Sequence, residues 1–324
     1  MRSFACPVCG HLVFFENSAC LHCGTELGYC RSRRELVAVD GHVRCANAEV
    51  ARCNWLADAP GLLCGSCALT RTRPADADLD ALAAFADAEA AKRRLVYQLD
   101  DLGLPTDGVA FDLLSSAEEP VTTGHADGVV TIDLAEGDDA HREALRVQLA
   151  EPYRTMLGHL RHETGHYYWT VLVEPSPARF RELFGDERSD YAEALQRHYS
   201  SPAPVGWEQE YVSTYATAHP WEDWAESFAH YLHIRDTLQT AAAYGMQVRG
   251  ATPRDDPGSL AEIIDTWLPL TYALNAVNRS MGAHDLYPFV LAPKVLEKLR
   301  FVHDLVQAHI PYRTPDEAVA PASA

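Results

Sequence analysis

No apolar run in this chain reaches the roughly 18 residues that a membrane-spanning helix needs. Its first residues, Met1-Arg-Ser-Phe-Ala-Cys-Pro, lack the apolar stretch of a secretory signal, so a cytoplasmic location is expected. Positive charge is also scarce: 27 Lys and Arg stand against 46 Asp and Glu, a net −19. Residues 1–75 contain no lysine at all; eight Arg and six Asp or Glu leave them at +2, so the remainder carries −21. An acidic body repels phosphate backbones, and the N-terminal region has no interleaving of basic and aromatic residues. Both facts argue against nucleic acid as a partner. No internal repeat is present apart from paired cysteine knuckles.

Those knuckles dominate the N-terminal region. In a reducing compartment nine cysteines read as metal ligands rather than disulfides. Cys6, Cys9, Cys20 and Cys23 form CxxC-x10-CxxC, and each CxxCG is a tight turn that aims two thiolates at one point. Cys45, Cys53, Cys64 and Cys67 follow at looser spacing, with one true knuckle, and predict a second four-cysteine zinc site. Cys30 is left over as a packed free thiol. A region of about 70 residues with few large apolar side chains needs such staples to fold.

Arg71–Asp78 reads as a linker. From Leu79 to Leu99 apolar residues recur at helical spacing until Gly103 and Pro105 stop the pattern, and Lys92-Arg93-Arg94 reads as a solvated face. Residues 109–114 and 128–134 read as strands, with turn chemistry over 123–128 between them. Asp138, Asp139 and His141 open a long helical region. Further helices are expected over 180–195 with a break near Gly185, over 260–277 with a kink at Pro269, and over 295–306. The Ala- and Pro-rich tail is expected to be disordered.

The chemistry centres on Leu160-Arg-His-Glu-Thr-Gly-His-Tyr-Tyr-Trp169. On a helix, His162 and His166 lie one turn apart on one face and can share a zinc ion, with Glu163 placed to act on a water. A catalytic zinc needs a third protein ligand. No histidine follows at the spacing of an extended HExxHxxGxxH motif, so a glutamate on a second helix is required. His219-Pro-Trp-Glu-Asp-Trp-Ala-Glu-Ser-Phe-Ala-His-Tyr-Leu-His233 supplies one: Glu222 and Glu226 share a face, and like charges so placed call for a cation. The natural assignment makes Glu222 the ligand and Glu226 the acceptor of a histidine N–H; the swapped assignment stays open. His198 reads as a surface or core residue and His230 and His233 as core or rim histidines, with His219 and His230 as further candidate donors.

HExxH followed by E-x-x-x-E on an aromatic helix resembles the gluzincin metallopeptidases, especially the anthrax lethal factor type. That resemblance implies Glu222 as the zinc ligand and Tyr215, seven residues earlier, as the group that stabilises the tetrahedral intermediate. Over most of residues 5–290 the chain resembles a family of zinc-binding metallopeptidases with an N-terminal zinc-ribbon region. The stretches that carry this are CPVCG…CLHCG, CNWL, AKRRL, GHLRHETGHYYW, FGDERSDY and HPWEDWAESFAHYLH. The implied fold is α+β: a mostly helical zincin-like domain with a small sheet over 106–312, a zinc-ribbon module over 1–75, a helical connector over 76–105 and a tail over 313–324.

The expected activity is cleavage of a peptide or protein substrate with one catalytic and two structural Zn2+, the ribbon region offering a surface for a protein partner. The alternative class is a non-catalytic zinc-built interaction module, and Glu163 separates the two because a purely structural site has no use for it. Metal analysis should therefore return about three zinc ions per chain, and His162→Ala about one fewer.

Overall fold

The computed structural model describes residues 1–117, 119–137, 155–254 and 258–309. The helical region expected to open at Asp138, Asp139 and His141, and the tail over 313–324, lie outside these residues.

The N-terminal region is three antiparallel hairpins: β1 (Phe4–Ala5) with β2 (Leu12–Val13), β3 (Leu27–Cys30) with β4 (Glu35–Ala38), and β5 (Val43–Arg44) with β6 (Leu56–Ala57). Hairpins this short are not stable alone. They are held by the cysteine clusters and by an aromatic core in which Phe15 and Tyr29 pack at 5.2 and 5.9 Å from Tyr97 of the following helix. That helix, α1 (Leu79–Asp101), is capped by Asp78, whose side chain accepts the Ala81 N–H.

The linker expectation over Arg71–Asp78 needs correction. Its first residues form β7 (Thr70–Thr72), which pairs in parallel with β8 (Ala110–Leu114), and Arg71 donates to Asp112 on that neighbour at 3.0 Å. The turn expected over 123–128 also contains a strand, β9 (Gly124–Ala126), antiparallel to β10 (Val129–Asp133). Asp127 and Gly128, at φ 50° and 78°, make the two-residue turn between them; such turns match the twist of the paired strands. The sheet order is β7-β8-β10-β9, so β10 is interior and β9 lies at the edge.

Lys92-Arg93-Arg94 is not a solvated face. Lys92 is fully buried with its ammonium 2.5 Å from Glu89, and Arg93 is 3% exposed, donating to the Ala51 carbonyl at 3.2 Å. The reason is that α1 is enclosed by the ribbon and the sheet, and a helix covered on several sides has no water for its charges. Only Arg94 keeps a surface position, paired with Glu16.

The remaining elements are helical: α2 (Met156–Leu172), α3 (Ala178–Phe184), α4 (Tyr191–Ser200), α5 (Pro220–Ala243), α6 (Leu260–Ser280) and α7 (Pro293–His309). α6 runs on through Pro269 as one element. α2 begins at Thr155, which accepts the Gly158 N–H, and α5 carries Pro220 at its first position, where the missing N–H costs nothing. The chain is thus an α+β protein with a small sheet and a zinc-ribbon region before it.

α2 and α5 cross closely. A Cβ at Gly165 would sit 3.0 Å from Ala225 Cα and 3.3 Å from its carbonyl oxygen, and Trp224 Nε1 donates to the Gly165 carbonyl at 2.8 Å. The glycine therefore lets the helices approach at the level of the histidines. α7 pins the start of α5, since buried Lys298 lies 2.6 Å from Asp223 and donates to the Glu210 carbonyl. Gly165→Ala should lower stability by about 1–3 kcal/mol in urea unfolding despite alanine's better helix propensity, because the obstacle is backbone that cannot swing aside. A stabilised variant would show that the crossing has slack.

Candidate metal and active site

Both cysteine sets converge. Within the first, Cys6 and Cys23 Sγ are 3.7 Å apart and Cys9 and Cys20 3.6 Å; within the second, Cys53 and Cys64 are 3.7 Å apart. Four thiolates at Zn–S distances of about 2.3 Å stand roughly 3.8 Å from one another, so the donor sets fit zinc. The second set is wholly buried, and the Asn47 and Cys64 N–H groups both point at Cys45 Sγ, at 3.4 and 3.2 Å. Cys30 stands apart, its sulfur 3.4 Å from Ser32 Oγ.

The third convergence is His162, His166 and Glu222, whose ligand atoms lie within 4.8 Å of one another. Glu222 Oε2 is 3.0 Å from His162 Nε2 and 3.5 Å from His166 Nε2. The other side of the His162 ring faces Glu226: Nδ1 is 2.7 Å from Oε1, and Glu226 Oε2 accepts from Ser213 Oγ at 2.6 Å. A proton on Nδ1 leaves a lone pair on Nε2, pointed at a carboxylate oxygen in a nearly sealed place, Glu222 being 1% exposed. A second proton on the ring or a cation between the two atoms would reconcile them, and a zinc-sized ion would also draw in His166 Nε2, 3.5 Å from the same oxygen. The proton affinities express the same demand. Burial opposes charge on Glu222 and His162, yet the histidines hold the Glu222 carboxyl far below its usual range, and the two carboxylates hold His162 well above its own. Burial likewise works against Glu226, but His162 keeps it down at about 2.

Glu163 lies on the wall of a cavity of about 600 Å3 that also reaches His162 and Tyr215. Tyr215 begins a single 3-10 turn (Tyr215–Thr217) and sets its ring 5.7 Å from that of His162. Burial pushes its phenol up, so it stays a proton donor. His219 is no free donor: Nδ1 accepts the Trp221 N–H as the cap of α5, and Nε2 meets Ser189 Oγ at 3.0 Å. His230 meets the Tyr287 hydroxyl at 2.7 Å on the cavity wall, and His198 packs 5.7 Å from Tyr215. Neither joins the three-donor set.

Two contacts escape a reading of the sequence. Ser213 supports Glu226, and Tyr191 donates its hydroxyl to Glu222 Oε1 at 2.7 Å. The second had one faint signal, the position of Tyr191 at the end of the FGDERSDY stretch; nothing marked Ser213.

His230 and His233 line the deeper part of the cavity, and burial holds them down at about 4 and about 3. Between the ordinary value of 6.5 and these values the unfolded chain binds protons that the folded chain refuses. Stability therefore falls as pH drops through that window, by up to about 1.4 kcal/mol per pH unit for each histidine. His233→Gln should flatten the fall measured by urea unfolding between pH 6.5 and 4; an unchanged slope would mean the imidazole is charged in the folded chain.

A family model described as "Putative zinc-binding metallo-peptidase" matches residues 81–305, and a zinc-ribbon domain model matches residues 3–78. Proteins described as uncharacterized in Mycobacterium tuberculosis and Mycobacterium bovis are each 54% identical over 330 residues, covering 96% of this chain and 97% of theirs. No solved structure matches. Among the described residues no helix is long and apolar enough to cross a membrane. With three metal-donor clusters in place and the matched models spanning both of its regions, the chain belongs to the family described as "Putative zinc-binding metallo-peptidase" and carries an N-terminal zinc ribbon.

Proposed function

We propose that the chain is a zinc-dependent peptidase of gluzincin type, with residues 106–312 as its catalytic domain. The observation that carries this reading is the position of Glu163, a carboxylate on the wall of a roomy cavity beside the His162–His166–Glu222 donor set. His162, His166 and Glu222 would hold the ion, and Glu226 would fix His162 through Nδ1–H. Zinc, when bound, supplies a Lewis acid that makes water acidic near neutral pH and polarises a carbonyl. As water attacks the peptide carbonyl, Glu163 takes its proton and passes it to the leaving amine, so that one peptide bond and one water become a carboxylate and an amine. The Tyr215 hydroxyl donates to the oxygen on which negative charge develops.

The substrate would bind extended. β10 is interior to the sheet, and among the described residues the edge strand on its other side is β9. His125 of that strand sets its ring 6.4 Å from His166, so a peptide paired with the edge would run past the site. The cysteine clusters are structural zinc sites in this reading. The ribbon exposes Val8, Leu12, Phe14 and Leu21, which favours a protein partner there.

The test compares wild type with Glu163→Gln on a peptide library. The variant should keep its full zinc content and lose cleavage by about 100-fold or more. Equal cleavage by both proteins would reject Glu163 as the base, and none by either would support the non-catalytic interaction module.

A further inference from the structure

The stretch Phe184-Gly-Asp-Glu-Arg-Ser-Asp-Tyr191 has no task in the scheme above, yet each of its residues is held. Gly185, at φ 104°, turns the chain beside the start of α5, where a Cβ would come within 3.3 Å of Pro220. Glu187 is buried and accepts from Arg181 Nε at 3.0 Å, while Asp186 accepts from Arg188 at 2.8 Å. Ser189 meets His219, the cap of α5, and Asp190 caps α4 by accepting the Glu193 N–H at 2.9 Å. The ends of α4 and α5 are thereby tied together, and the first residue of α4 is Tyr191.

The Tyr191 hydroxyl takes one of the two oxygens of Glu222. Oε2 faces both imidazole Nε2 atoms, and Oε1 accepts the phenol at 2.7 Å. A carboxylate without that contact can rotate away from the histidines, and fixing it in the one orientation that offers Oε2 to both of them lowers the cost of ordering the site when a metal binds. We propose that Tyr191 is a positioning residue that fixes Glu222 with Oε2 toward the two imidazoles and so raises the affinity of the site for zinc. The inference rests on the metal-site reading above, and it assigns the FGDERSDY segment the job of delivering this hydroxyl. Glu222 itself is 1% exposed although the Tyr191 ring reaches the surface, so the phenol is the donor that serves the buried Oε1, which gives the contact leverage.

The experiment measures zinc retention of the full-length protein against a chromogenic chelator, with no substrate present. The two cysteine-bound zinc ions act as an internal reference for folding. Tyr191→Phe should give up one zinc per chain at about 10- to 100-fold lower chelator concentration than wild type. Tyr215→Phe, which leaves Glu222 untouched, should retain zinc as wild type does. Ser189→Ala, which loosens the tie between α4 and α5, should shift retention in the same direction by a smaller factor. Peptide cleavage lost by Tyr191→Phe at limiting zinc should recover as free zinc is raised, with KM unchanged. A Tyr191→Phe retention curve that superimposes on wild type overturns the proposal. A loss of rate that no zinc concentration recovers also overturns it, by assigning the phenol to the substrate. A wild-type chain that holds its third zinc but cleaves nothing removes the peptidase reading and leaves this one intact.

Discussion

The crossing of α2 over α5 at Gly165 and Ala225 is the constraint on which the site depends. The paired histidines come from one helix and the carboxylates from the other, nearly sixty residues on. Their side chains meet only if the two backbones approach closely, and a side chain at position 165 would hold them apart. Much of the surrounding packing serves that approach. Trp224 reaches from α5 to the Gly165 carbonyl, Tyr168 stacks on Phe228 at 5.2 Å, and Arg161 donates to Asp236 at 2.7 Å two turns further along.

The same economy governs charge. Three lysines serve this acidic chain, and two of them are buried. Lys298 faces Asp223, the neighbour of Glu222; Lys92 faces Glu89, whose other oxygen lies 3.6 Å from Cys67. The group against Cys67 is the Glu89 carboxylate, and buried Lys92 and Arg93 offset its charge where solvent cannot. The ribbon and the helical body are thus joined through α1 by ion pairs, such as Arg31 with Asp100 at 2.7 Å, as well as by the aromatic core around Tyr97.

Local pattern carried a good deal. HExxH, the CxxC knuckles and the acidic pair on the HPWEDWAESF helix depend on spacings of three and four residues, which one helical turn or one knuckle converts directly into geometry. The helices over 79–101, 156–172, 220–243 and 293–309 were visible for the same reason, as were the strands near 110 and 130. Where the reading failed, the deciding partner was distant in sequence. Thr70–Thr72 reads as linker because its strand neighbour lies forty residues away, and Lys92-Arg93 reads as surface because nothing local shows that the ribbon folds onto α1.

The sequence by itself determined which residue types could bind metal and that each CxxC pair would aim both sulfurs at one point, because that spacing is short-range. It favoured Glu222 over Glu226 as the ligand but left the swapped assignment open, since helical periodicity puts both on one face. The tertiary structure gives the two different surroundings, turning His162 so that Nε2 faces Glu222 and Nδ1 faces Glu226, and bringing Tyr191 and Ser213 to their outer oxygens. Those contacts depend on where α4 and the 210s segment dock against α5, and docking is set by burial across the whole core rather than by any pattern along the chain.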